Sequence, residues 1–304
     1  MADAEGTLIP RIPVGDAVET VFDWVTDNFE PVFDAVSTAT EWTVEGITAG
    51  LLVLPALVLA ALLALLGALV RSVGFAVASF AGLLLVISMG LWTQAMQTLA
   101  LILTAAVIAT VIAVPVGVLA ARNPRVSAVV KPVLDFMQTM PAFVYLVPAV
   151  VLFGIGLVPG VIVTVIFALP PGVRLTELGI RQVDQEVVEA GHAFGSSPWQ
   201  VLRGIQLPLA LPTIMAGINQ VIMLALSMAV IAGLIGAEGL GSEVTAAISR
   251  LNIGQGVEAG LSVVVLAIYL DRLTASFNSG GGLLGRARAR RDLEPVEPVT
   301  TTTA

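Results

Sequence analysis

The stretch "EVVEAGHAFGSSPWQVLRGIQLP", residues 186–208, is polar enough to sit in water, yet it interrupts a chain built of one apolar run after another. It carries Val187, Phe194, Trp199, Leu202 and Ile205 at spacings that offer apolar side chains for contact. Asp184 is placed to cap a helix starting at Gln185, with Glu186 and Glu189 in the half where the helix dipole favours acids. Gly195 is placed to end that helix. Ser197 then caps a second short helix, with Pro198 at its first position. The pattern predicts two short helices meeting at a sharp turn. Val187, Ala190, Gly191 and Phe194 share one face of the first, and Trp199, Leu202 and Arg203 cluster on the second. Gly191 and Gly195 are expected to bring the backbone close to the surface, where another protein can press on it. Pattern alone leaves a second reading open, an amphipathic hairpin resting on a membrane.

The rest of the chain supplies that membrane. Of the 304 residues 57% are hydrophobic and only 12% are charged, and the mean hydropathy is +0.97. A soluble fold of this size cannot hide so much apolar surface, because much of its exterior must face water. No Asp or Glu occurs between Glu45 and Asp135, as fits spans in which acids are costly. About twenty apolar residues cross a bilayer as a helix. Seven stretches qualify: residues 47–70, 73–92, 95–121, 133–156, 158–173, 212–236 and 257–277. The expected class is therefore all-α, a multi-pass membrane protein with about seven transmembrane helices.

Orientation follows from Lys and Arg, which gather on the cytoplasmic side. With the N-terminus outside, only Arg11 and Arg250 of the 14 Lys and Arg residues fall outside. That arrangement puts residues 186–208 and the C-terminus in the cytoplasm and the chain in the cell membrane. Residues 1–45 hold ten acids and one base, a net of −9 within a formal total of −8, so the remainder nets to +1.

Three regions result. Residues 1–46 form an acidic extracellular tail, residues 47–277 the transmembrane domain with its loop at 184–208, and residues 278–304 a flexible cytoplasmic tail. In the first, Val14, Val18, Val21, Val25, Phe29, Val32 and Val36 recur every three or four residues opposite a row of acids. This predicts an amphipathic helix divided at Pro31, packed along the outer membrane surface or on a partner, with a solvated, partly disordered tail as the alternative. The helix's polar face lacks the Lys and Arg that would draw it to anionic lipid.

Several chemistries are excluded. No G-x-x-x-x-G-K-[ST] is present, so the chain cannot cradle ATP phosphates itself. "GAEGLG", residues 236–241, lacks the Lys and reads as a turn or re-entrant bend. One His (His192) and no Cys argue against a metal site or a catalytic set, and the few dispersed bases give no nucleic-acid signal. No enzyme activity and no cofactor are expected.

The stretch "EAGHAFGSSPWQVLRGIQLP" resembles the Glu-Ala-Ala loop of ABC importer permeases. In that pattern E-A-A is followed by three residues, G, nine residues and I-x-L-P. Glu189, Ala190, Gly195, Ile205, Leu207 and Pro208 fall in register, and Gly191 stands where the third small residue belongs. Further stretches between residues 94 and 274, "QTMPAFVYLVPAVVLFGIGLVPG" among them, are similar to the glycine betaine/proline (quaternary amine) branch. The resemblance implies a type I importer permease core (MetI-like). It also implies a loop docking on a cytoplasmic ATP-binding subunit, an extracellular substrate-binding protein and a second permease copy. ATP hydrolysis would belong to the separate subunit.

For the translocation path, aromatic faces suit a trimethylammonium group, at about 0.5–2 kcal/mol each. Phe143, Tyr145 and Phe153 are candidates, as are the amides Asn219 and Gln220. Packing and interhelical hydrogen bonding are the alternative roles for these five. Rival functions are a same-fold importer of another small solute (choline, carnitine, a sulfonate or an amino acid), an ion-coupled secondary transporter, and a non-transporting scaffold. The secondary transporter would call for intramembrane acids, and only Asp135 stands near a possible site.

Overall fold

The computed structural model describes residues 13–279, and every regular element among them is helical. In chain order these are α1 (Val14–Leu52), α2 (Ala56–Val70), α3 (Val73–Ser88), α4 (Trp92–Arg122) and α5 (Pro124–Thr139). A 3-10 turn (Ala142–Tyr145) leads into α6 (Leu146–Phe153), followed by α7 (Leu157–Arg181), α8 (Gln185–Ala193) and α9 (Pro198–Val201). A π-helical turn (Leu202–Gln206) opens into α10 (Leu207–Ala232). After a second 3-10 turn (Gly233–Ile235) come α11 (Leu240–Ser249) and α12 (Ile253–Ser279). The tail expected at residues 278–304 lies almost wholly outside the described residues, as do the first twelve residues of the acidic tail.

Among the described residues four helical runs are long and apolar enough to cross a membrane: α4, α7, the continuous run Pro198–Ile235, and α12. Two more candidates are bent pairs, α1 with α2 at 100° and α5 with the turn and α6 at 104°, and α3 is a shorter apolar helix. The expectation of about seven spans compares with four unbroken helices among the described residues, or six if each bent pair is one span, beside the shorter α3.

Three boundaries differ from the sequence reading. The first predicted span, residues 47–70, is two helices. Residues 47–52 end α1, and the chain turns at Val53–Pro55 before α2. Pro55 has no N–H to continue the ladder and pushes Leu54 away from helical geometry. In contrast α1 runs unbroken through Pro31; residue 31 is exposed, so the carbonyl its ring frees can face water. Likewise α7 does not stop near residue 173 but passes through Pro170 and Pro171 to Arg181. Both prolines are buried, and the helices that flank the run let it continue where its own hydrogen bonds are missing.

Those flanking helices are α4 and α10, and small residues let them approach. A Cβ added to Gly117 of α4 would lie 2.5 Å from Thr176 Cβ and 2.8 Å from the Val173 carbonyl oxygen on α7. A Cβ at Gly179 would lie 2.9 Å from Thr213 Cβ on α10. Helices in lipid associate through this kind of close packing, since lipid tails offer no hydrophobic drive. The α2–α3 pair is clasped to α12 differently. Phe75 stacks on Tyr269 with ring centroids 6.0 Å apart, and Arg71 donates to the Arg272 carbonyl at 3.1 Å.

The two ends of the bundle are capped by different elements. At one end α1 crosses the starts of α4 and α7, with Phe33 edge-on to Phe153 at 5.4 Å. A cavity of about 470 Å3 lies beneath it, lined by Glu45, Thr48, Gln97, Leu157 and Glu238 among others. At the other end, where α4 and α7 finish, lies α8.

Candidate functional site

Local chemistry sets the shape of the loop at the α8 end. The Asp184 side chain accepts from the Glu186 N–H at 2.9 Å and starts α8. Gly195 ends it in the left-handed region, at φ +81. The Gly195 N–H donates to His192 O at 2.9 Å and the Ser196 N–H to Gly191 O at 3.1 Å, closing the last turn. Ser197 and Gln200 form a reciprocal capping box, with Pro198 in the first turn. A capped start of this kind satisfies backbone donors that a four-residue helix would otherwise leave open.

The second helix is not a separate short element. Residues 198–235 form one continuous run, and α9 passes through the π turn directly into α10. Within the turn the Leu207 N–H bonds to Leu202 O, one residue further back than in an α-helix. Pro208 accounts for the widening. It has no N–H for the Gly204 carbonyl, and its ring would press on that carbonyl in a regular turn.

The motif residues divide into two groups. Glu189, Ala190 and Gly195 face outward. Gly191 does not lie at the surface as the sequence reading held; it is buried. A Cβ there would sit 2.6 Å from Ile205 Cδ1 and 3.4 Å from Val201 Cγ2. Ile205 and Leu207 pack with Val188 against the buried Ile180, Val183 and Leu202. Gly191, Ile205 and Leu207 therefore fasten the loop to the bundle, while Glu189, Ala190 and Gly195 remain free to meet something else. Leu202 is buried, while Trp199 on the same helical run is exposed. Phe194 is 91% exposed, Trp199 59% and Val187 42%, so the loop carries three apolar side chains on its outer surface. At the base of α8 a cleft of about 320 Å3 is lined by Arg122, Arg181, Gln185, Glu189 and Gln206 among others.

The five path candidates fall into two sets. Phe143 is exposed, Tyr145 donates its hydroxyl to Met137 O at 2.7 Å, and Phe153 meets Phe33. On α10 Gln220 is exposed. Asn219 donates to Asp271 Oδ1 at 3.2 Å and accepts from the Thr274 hydroxyl, both on α12. No hydrogen bond or ring contact joins the two sets among the described residues.

Sequence reading missed Glu177. This carboxylate is only 4% exposed, one turn from the end of α7. Its Oε1 accepts from Ser127 Oγ at 2.8 Å, and faces Arg181 at 3.0 Å and Lys131 Nζ at 3.6 Å. Arg181 also donates to Ala120 O of α4 at 2.9 Å, and Arg174 pairs with Asp135. The signal was present in "RLTELGIR", which places Arg174 and Arg181 three residues before and four after Glu177. Ending the helix near residue 173 hid it.

Residues 113–280 match the model of a protein family described as binding-protein-dependent transport system inner membrane component. The chain belongs to that family. It is 49% identical over 266 residues to the glycine betaine transport system permease protein OpuAB of Bacillus subtilis, covering 88% of this chain and 94% of the relative. It is 48% identical over 288 residues to the glycine betaine/proline betaine transport system permease protein ProW of Escherichia coli, covering 95% and 80%. To the glycine betaine/carnitine transport permease protein GbuB of Listeria monocytogenes it is 58% identical over 205 residues, covering 67% and 73%. Among solved structures, an inward-facing MetNI methionine ABC transporter chain superposes with a TM-score of 0.58 at 22% identity, covering 63% of this chain and 95% of that one. The fold is that of a MetI-like ABC importer permease.

Proposed function

We propose that the chain is the membrane-spanning subunit of an ATP-driven, binding-protein-dependent importer of glycine betaine or a close chemical relative. One observation carries the reading. The loop that matches the family's Glu-Ala-Ala pattern is fastened on its inner side and presents Glu189, Ala190, Gly195 and three apolar side chains on its outer side. In this reading that surface seats in a groove of a cytoplasmic ATP-binding subunit. Alternating access needs about 5.5 kcal/mol of differential interaction to move a two-state equilibrium from 1:99 to 99:1. A capped, packed loop delivers that energy; a slack one would absorb it.

The remaining assignments follow from the same reading. Arg122, Arg125, Lys131, Arg174 and Arg181 gather where α4 ends, α7 ends and α5 lies. The positive-inside rule supports a cytoplasmic location for that end, with the N-terminal tail, residues 1–46, outside and residues 278–304 inside. An external binding protein delivers solute at the α1 end, and two permease copies with two ATP-binding subunits make up the complex. The solutes in the relatives' names are glycine betaine, proline betaine, carnitine and trimethylamine N-oxide. All carry a fully substituted cationic nitrogen balanced by an anionic oxygen. No buried counter-ion is needed for such a neutral pair. Aromatic faces such as Phe143 and Tyr145 suit the methylated nitrogen, and the amides Asn219 and Gln220 suit the oxygen.

The test is uptake into liposomes holding the permease, its ATP-binding subunit and its binding protein. Labelled glycine betaine accumulates only with internal ATP, and carnitine and proline betaine compete while sulfonates and amino acids do not. Uptake that persists without ATP and follows an ion gradient would reject the proposal.

A further inference from the structure

Glu177 lies where three helices meet. Ser127 and Lys131 reach it from one face of α5, four residues apart. Arg181 reaches it from α7 and holds the last turn of α4 through Ala120 O. Asp135, a further turn along the same α5 face, pairs with Arg174 of α7. The two helices also share an apolar seam, with Leu134 against Val173 and Ala113. An apolar seam tolerates sliding. A buried carboxylate with a fixed set of donors does not, and holding register is the best-attested use of such groups.

Both ends of this seam lead somewhere. Beyond Arg181 only Gln182, Val183 and Asp184 separate α7 from α8. At the far end of α5 the chain turns by 104° into the 3-10 turn and α6. Tyr145 ties that corner back to α5 through Met137 O at 2.7 Å. The α8 loop is thus joined directly to α7, and the Glu177 cluster lies between α7 and the α5–α6 corner.

We propose that Glu177 is a positioning residue that transmits movement of the coupling loop to the α5–α6 corner. The role rests on the docking function proposed above. Packed interfaces of this kind switch between discrete arrangements rather than deforming continuously, and a shared carboxylate sets which arrangement is held.

The chain contains no Cys, so a single introduced Cys takes a fluorophore site-specifically. Gln182 and Val151 are both exposed, one beside the loop and one on α6. In the reconstituted complex, labels at Gln182→Cys and Val151→Cys both respond to ATP. In Glu177→Gln the Gln182 label still responds. The Val151 response and the uptake per ATP hydrolysed fall roughly tenfold. Ser127→Ala, which removes one donor and keeps the charge, gives the same split with a smaller loss. Retention of both responses in these variants, or loss of both together, overturns the role. If the unaltered chain shows no ATP response at either label, the importer reading fails and this role fails with it.

Discussion

The two ends of the bundle are covered by helices of opposite design. At one end α8 has nine residues, capped at its start by Asp184 and closed by Gly195. It is joined to α7 by three residues and, through α9 and the π turn, is continuous with α10. At the other end α1 has 39 residues, about 58 Å at 1.5 Å per residue. It turns by 100° at Val53–Pro55 into α2. Its second half rests on the bundle through Phe33 and Val44, while Val18, Val21, Trp24 and Val32 stay exposed. In the proposed reading the short, capped α8 is the element that a partner moves, and the long α1 is the one that covers the opposite end.

Substitutions can break or sharpen that contrast. The largest effect is expected at the loop's outer face. Glu189→Lys and Gly195→Ile should leave the protein in the membrane, measured by detergent extraction, while ATP-driven uptake falls to background. At Gly195 the new side chain also meets a left-handed backbone that costs roughly 1–2 kcal/mol. Next comes the seam behind the loop. Gly117→Leu drives a side chain into Thr176 and the Val173 carbonyl, and should lower stability by about 1–3 kcal/mol in a detergent unfolding assay. At the α1 end Phe33→Ala removes one edge-on ring contact, worth about 0.5–1.5 kcal/mol. Uptake should survive it; a loss comparable to Glu189→Lys would erase the distinction between the two ends. Last comes Asn219→Ala, which loses two hydrogen bonds to α12, each worth about 0.6 kcal/mol. It should lower turnover in the uptake assay without disturbing assembly, and unchanged kinetics would place Asn219 off the path.

What could be read in the sequence follows the range of the forces involved. Caps are local, so Asp184, Gly195, Ser197 and Pro198 gave the loop's outline directly. Apolar length gave α4, α10 and α12 within a few residues. Proline was the ambiguous signal. Pro55 breaks a helix, while Pro31, Pro170 and Pro171 do not, because water or neighbouring helices supply what each removes. That difference lies in the surroundings and leaves no mark in the residue order. The same holds for Gly191, whose burial depends on Ile205 fourteen positions away. The π turn, which carries α9 into α10, had a local signal in Pro208, which the reading of two separate short helices passed over. Glu177 was legible in its spacing to Arg174 and Arg181, but only once α7 was allowed to run its full length.

The most direct measurement is a proximity cross-link from the loop. Phe194 is 91% exposed and Trp42, at the opposite end, 79%. A single Cys at each position, carrying a photoreactive group, can be activated in the assembled transporter. The coupling account predicts an adduct between position 194 and the ATP-binding subunit, and none from position 42. An adduct from position 42 with none from position 194 would contradict it.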